Sequence, residues 1–391
     1  MRKYLYYSTL LSIYTEALVF HSFIDIKIFY FFIITNLFLL TILNGLYLTK
    51  NIVYFYVFLL VNGIVSISLE TNSNRFFLAQ FIGIVVVSFF YFNFFTYFKD
   101  KVLELFKDYT YMSFYVALLG MVIFVFNLLF GQFTPIKSIM LEPAHFATVM
   151  LPAFYYSKKN KHFPKYVWKV LLVAILLSGS SLGLLGLGVA ILLLSELRLV
   201  NLLYWTSVVL CLFYITYLNY VPLNKRIKDT YNAIKNKSLE DINVSSFVLV
   251  SNYFVALDGF SQNPIFGSGL GSHELSHEKF VYSISGVNKS IYLVHINEKD
   301  AASLLLRIIS ELGILGLIVL SYVLVKYCTN YKEGEPAIWI SRAVLVYIFC
   351  KLLRDGHYFP PELYFFVFSY IFAYRQARIK KDYLIKSVDA Q

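Results

Sequence analysis

The sequence predicts an all-α polytopic membrane protein, with about twelve transmembrane helices and one large loop on the outer face. Three observations carry that class. Apolar residues make up 59% of the chain, charged residues only 15%, and mean hydropathy is +0.65, which rules out the apolar core and charged shell of a soluble domain. Apolar windows of about 20 residues recur along the chain, the length that crosses ~30 Å of hydrocarbon. The basic residues collect in the short turns between those windows.

Taken in order, the windows predict helices near 5–23, 28–48, 52–69, 76–98, 111–131 and 144–156. Six more follow near 166–178, 181–195, 200–219, 303–326, 338–353 and 363–374. One set of turns holds Arg2 and Lys3, Lys50, the Lys99–Lys107 cluster, Lys158 to Lys161, Arg198, Lys326 and Lys332, and Arg375–Lys381. The other set is weakly charged and includes the long segment 220–302. Positive residues stay inside, so both termini are expected in the cytoplasm and the long loop outside. The chain therefore divides into helices 1–9 over 1–219, the loop over 220–302, and helices 10–12 with a tail over 303–391. Met1-Arg-Lys followed by an apolar run is like a signal peptide. Glu16 interrupts that run and no small-residue cleavage site follows, so it is read as the first membrane helix.

The same observations exclude other classes. A net charge of +11 would point to nucleic acid in a soluble chain, but here it is a topology signal, and no nucleic acid partner is expected. Cys211, Cys328 and Cys350 lie in or beside apolar segments, with no CxxC spacing, so neither a disulfide nor a structural metal is expected. No internal repeat supports an inverted-repeat transporter. Two stretches depart from ordinary spans: the small-residue run Leu176 to Gly188, where the chain turns tightly, and Gly131 to His145, which leads into a short apolar segment behind Pro143.

Ionisable residues near the outer face are the candidate site residues, because charge in a membrane protein is costly. Glu142 and His145 stand three residues apart at a predicted helix start, on one face. They are candidates for general base and partner, or Glu142 is a helix cap alone. Arg354 and His357 end the eleventh helix, where a planar guanidinium suits a pyrophosphate, the alternative being a snorkelling interfacial side chain. Arg226, beside Lys225, opens the loop just above the membrane, where a diphosphate headgroup would lie, the alternative being attraction of both to anionic lipid. Arg307 and Glu311 are one turn apart in the tenth helix, the spacing of a mutually compensating pair. His295 and Asn297 precede that helix, and His295 is a candidate base or substrate contact, or simply an exposed loop histidine. His273 and His277 have half of a zinc-site spacing but no third ligand. The run Gly267-Ser-Gly-Leu-Gly271 lacks the context of a nucleotide cradle and is read as a compact turn.

Three of these stretches together carry a resemblance. Asn263-Pro-Ile-Phe-Gly-Ser-Gly-Leu-Gly-Ser272, the span from His295 to Gly316, and Leu141-Glu-Pro-Ala-His-Phe-Ala147 resemble the bacterial O-antigen polymerase and ligase superfamily. The third stretch resembles the polymerases (Wzy-type) rather than the ligases. Two arginines of the family pattern are missing, at Ser180-Ser181 and in Ser246 to Asp258, where Asn252 is the nearest polar candidate. What the resemblance implies is a GT-C-like helical enzyme of the inner membrane with its site in the periplasm. Its donor and acceptor would be undecaprenyl-pyrophosphate-linked oligosaccharides, with no cofactor and no metal. A separate chain-length regulator would be its protein partner. Glu142, His145 and His295 would be catalytic, Arg226, Arg307 and Arg354 would grip the pyrophosphate, and His357, Asn252 and Asn297 would contact substrate. A ligase that moves the finished chain to lipid A–core, and a membrane transporter, are the alternatives.

Overall fold

The computed structural model describes residues 1–20, 26–194, 199–219, 221–240, 242–287, 292–329 and 336–389. The chain is 76% helical, as expected where hydrocarbon offers the backbone no hydrogen bonds and each segment must satisfy its own. In chain order the helices are α1 (Arg2–Ser12), α2 (Ile28–Asn44), α3 (Lys50–Ser68), α4 (Asn74–Tyr97), α5 (Val102–Leu129), α6 (Pro143–Lys159), α7 (Lys165–Leu177) and α8 (Ser181–Leu194). They continue as α9 (Leu199–Asn219), α10 (Val221–Asn236), α11 (Val244–Gln262), α12 (His273–Phe280), α13 (Leu304–Lys326), α14 (Pro336–Leu353) and α15 (Leu363–Asp389). Among the described residues six helical segments are long and apolar enough to cross a bilayer: α3, α4, Lys99–Leu129, α11, α13 and α14. The molecule is thus an α-helical membrane protein.

Each of the twelve apolar windows holds a helix, and the first is the one that departs most. The expected helix over 5–23 ends at Ser12, after 11 residues, or roughly 16 Å at 1.5 Å per residue, about half a bilayer. The chain then turns, and Val19–Phe20 (β1) pairs antiparallel with Ile26–Lys27 (β2). The reason is Glu16. Its side chain is 5% exposed and meets Lys27 and His145, and a helix continuing toward residue 23 would carry that carboxylate along its side, away from both.

Segment 220–302 is largely helical, holding α10, α11 and α12. It has its own small core of Leu239, Phe247, Val250, Val255, Val281 and Val294, separate from the main one. The main core centres on α6, where every residue from Phe146 to Ser157 is buried. α8 lies close against α6 because its glycines leave room. A Cβ on Gly183 would come within 2.7 Å of the Ala147 methyl, and one on Gly186 within 2.2 Å of the Leu151 side chain.

The glycine run of the long segment turns out to be buried structure. α13 is broken at Gly313, whose φ of 59° and ψ of −151° are open to few residues other than glycine. Segment 264–269 fills the break. Ile314 N donates to Pro264 O at 2.9 Å, and Ser268 N and Gly269 N donate to Ser310 O and Glu311 O at 2.8 and 2.9 Å. Backbone groups freed by the kink are satisfied there, which is how an interrupted helix survives without water. α3 holds the same run from the other side, where Asn62 donates to Phe266 O and accepts from Leu270 N.

Candidate functional site

Five separated segments meet in one cleft: the turn after α1, the first turns of α6 and α8, the loop before α13, and the turn after α14. Glu16, Glu142, His145, Thr148, Asn297, Asp300, Ala302, Arg354, Asp355 and His357 line it, around a cavity of about 90 Å³. The positive ends of two helix dipoles, those of α6 and α8, border the same space and favour an anion there.

Local chemistry builds each wall. Pro143 occupies the first turn of α6, where its missing N–H costs nothing. Glu142 stands at the N-cap position, yet its side chain makes no capping bond. The capping alternative therefore fails for the side chain, and among the described residues this exposed carboxylate has no bonded partner. His145, one turn in, is 8% exposed and sits between two carboxylates. Its Nδ1 is 3.1 Å from Glu16 Oε2 and its Nε2 3.2 Å from Glu362 Oε1. Both contacts are within ion-pair distance.

Behind His145 the charges continue. Glu362 also accepts a 3.0 Å hydrogen bond from the Tyr347 hydroxyl. Lys351 Nζ lies 3.8 Å from Glu362 and pairs closely with Asp355. Burial alone would raise the Asp355 carboxyl, but the Lys351 ammonium and the His357 ring beside it hold it below the usual carboxylate range. Lys27 meets Glu16 at 3.3 Å. Two groups have the spacing of metal ligands, Glu16 with His145 and Glu362, and Asp300 with Asp355 and His357. Lys27 faces Glu16, and Lys351 stands between the two groups, beside Asp355 and Glu362.

The outer wall is two turns joined backbone to backbone. Asp355 N donates to Ala302 O at 3.0 Å, and Ser303 Oγ to Leu352 O at 2.6 Å. A Cβ on Gly356 would fall 1.6 Å from Asp300 O, so only glycine fits. Asn297, Ala302 and Asp355 all adopt positive φ, 60°, 55° and 70°. For alanine that is a strained backbone, held by its surroundings. Asn297 Nδ2 donates to Asp300 Oδ1 at 3.0 Å, and His357 Nε2 lies 3.2 Å from Asp300 Oδ2. Arg354 lines the cleft, and among the described residues its guanidinium has no ion-pair partner.

Of the nine residues expected at the site, Glu142, His145, Asn297, Arg354 and His357 share the cleft. Arg307 does not. It is 2% exposed, with Nε donating to Glu311 at 3.0 Å, Nη1 to Gly356 O at 3.0 Å, and its guanidinium carbon 4.3 Å from the Tyr358 ring centroid. It reaches the site only through the turn it pins. Asn252 is likewise enclosed, donating to Val248 O and facing His273 Nε2 at 2.9 Å. The His273 Nδ1 faces Ser310, so the histidine spacing of that helix serves packing. His295 is 70% exposed, pairs with Glu298 at 2.7 Å, and lies outside the cleft lining. Arg226 is on α10, but its side chain lies outside the described residues.

Glu362, Lys351 and Asp300 are site residues that the sequence analysis did not single out. Lys351 inside an apolar window was the available signal, since a charge there implies a partner. Glu16 was noticed only as an interruption.

The fold and the cleft define a class: an α-helical membrane protein with a charged pocket where several helix ends meet. No protein-family model matches this chain, and no curated protein matches it.

Proposed function

We propose that this protein is a lipid-linked glycosyltransferase of the O-antigen polymerase type, acting at the periplasmic face of the inner membrane. One observation carries the reading: a carboxylate, Glu142, and a guanidinium, Arg354, neither with an ionic partner among the described residues, line the same cleft. Sugar transfer from a lipid pyrophosphate needs that pair of functions. One group takes the acceptor proton and another stabilises charge gathering on the leaving group.

The residue inventory supports the topology too. Glu16, Leu141 to Thr148, Leu182, Asn297 to Ala302 and Arg354 to His357 all fall on the side that the basic-turn alternation assigns outside. About twelve crossings with both termini cytoplasmic are consistent with this.

In the proposed reaction an acceptor sugar hydroxyl attacks the anomeric carbon of the donor chain. The new C–O bond forms as the bond to pyrophosphate breaks, and its electron pair leaves on the pyrophosphate oxygen. Glu142 accepts the hydroxyl proton. Arg354 and the N-terminal ends of α6 and α8 hold the pyrophosphate. Glu16 and Glu362 keep His145 oriented, His357 and Asn297 contact sugar, and Arg307 positions the turn that bears Arg354.

Deleting the gene and resolving surface polysaccharide by length tests this. Lipid A–core bearing one repeat unit, restored to a ladder by wild type but not by Glu142→Gln or Arg354→Ala, is the expected result. Bare core with long chains left on the carrier lipid would make it a ligase. An unchanged ladder would sink the reading and favour a transporter.

A further inference from the structure

We infer that α10 is a docking surface for anionic phospholipid, lying along the bilayer surface as an interfacial helix. This does not rest on the glycosyltransferase reading. α9 runs 21 residues with no charged side chain, about 30 Å at 1.5 Å per residue, and a single residue separates it from α10. α10 therefore starts where an apolar helix runs out, and Asn224 fixes the corner by donating to Tyr217 O at 3.1 Å.

The two faces of α10 differ in kind. Asp229, Thr230 and Ala233 turn toward α11. Asp229 accepts from the Asn243 backbone and side chain at 3.3 and 2.9 Å, Thr230 meets Ser246 at 2.7 Å, and Ala233 is buried. Those bonds set the rotation of the helix. On the opposite ridge Lys225, Lys228, Tyr231 and Ile234 follow one another at three-residue spacing, with Lys235 beside them, and all five are exposed. Tyr231 is 63% and Ile234 44% exposed, large apolar groups that water does not favour. The Lys235 ammonium lies 6.0 Å from the Tyr231 ring. The one acidic residue of the helix is turned inward, so the outer ridge presents cations and apolar bulk together. That is the pattern of a helix whose apolar side chains enter the headgroup boundary while its lysines meet lipid phosphates. A soluble acidic partner would account for the lysines but would leave Tyr231 and Ile234 without cover.

Hydrogen–deuterium exchange of the full chain in nanodiscs tests the proposal. Phosphatidylglycerol is compared with phosphatidylcholine of the same chain length, with α14 as an internal control for folding. Exchange over Val221–Asn236 should be slower in phosphatidylglycerol. Each of Lys228→Gln and Lys235→Gln should reduce that protection by about fivefold at low salt. Raised salt should do the same to the unmutated protein, so the result survives a variant that folds poorly. Equal exchange in the two lipids, or protection indifferent to both salt and the substitutions, would overturn the assignment.

Discussion

Two regions of this protein bury charge, and they do so to opposite ends. Around Arg307 and Glu311 the charges pair with each other and with backbone groups, and neither residue lines the cleft. Glu311 accepts from Arg307 Nε, His273 N and Gly271 N, and Arg307 donates onward to Gly356 O. Around His145 the network is open on one side. Glu16, His145, Glu362 and Lys351 are buried and mutually paired, but the cleft they border also carries Glu142 and Arg354, which have no partner among the described residues. Buried charge alone therefore does not mark a site in this molecule. Unused charge facing a cavity is the better marker, because a saturated pair has nothing left to offer a ligand.

That contrast breaks down if the closed region tolerates change. Glu311→Ala should cost about 3–5 kcal/mol of stability, since it strands the Arg307 cation and two backbone donors. Thermal unfolding in detergent would register it, and a near-wild-type transition would refute the account. The open region should respond the other way. Glu142→Gln and Arg354→Ala should each lower polymer formation by roughly 10²- to 10³-fold while the unfolding transition stays close to wild type. Loss of folding in either would move that residue into the structural class.

Acid should also act on α12, which packs against α13. Burial pushes His277 down to about 4 from 6.5, with the charges of Glu298 and His295 as smaller and opposing influences. The unfolded chain then binds a proton more readily than the folded one, so this contribution is full above about pH 6.5 and is lost as pH falls toward about 4. At most about 3 kcal/mol is involved, and His277→Gln should flatten the stability–pH curve over that window. The smallest effect belongs to His295→Ala, expected within about 0.5 kcal/mol in stability and without effect on activity. A large loss of activity there would bring the loop end back into the site.

Much of the helical framework was legible because hydrocarbon leaves the backbone few choices. Every apolar window became a helix, and several turns between them supply the lining of the cleft. Motif-based expectations were uneven for a physical reason. Glu142, His145 and Arg354 sit at helix ends, where side chains open into the space between elements. Arg307 and Asn252 lie within helices, and which face of a helix meets a neighbour depends on packing that periodicity does not encode in so uniformly apolar a chain.

By itself the sequence determined that this is an α-helical membrane protein and where twelve of its helices fall, but not α10, α11 and α12, which lie in the segment it presented as a loop. Only the tertiary structure decided that Glu16 ends the first helix to meet His145, that Glu362 and Lys351 complete the network, and that the glycine run fills a break in α13. These pairings join residues far apart in the chain, Glu16 with His145 and His145 with Glu362. Hydropathy and local propensity are short-range properties, whereas a buried charge finds its partner wherever the packed helices bring one within reach.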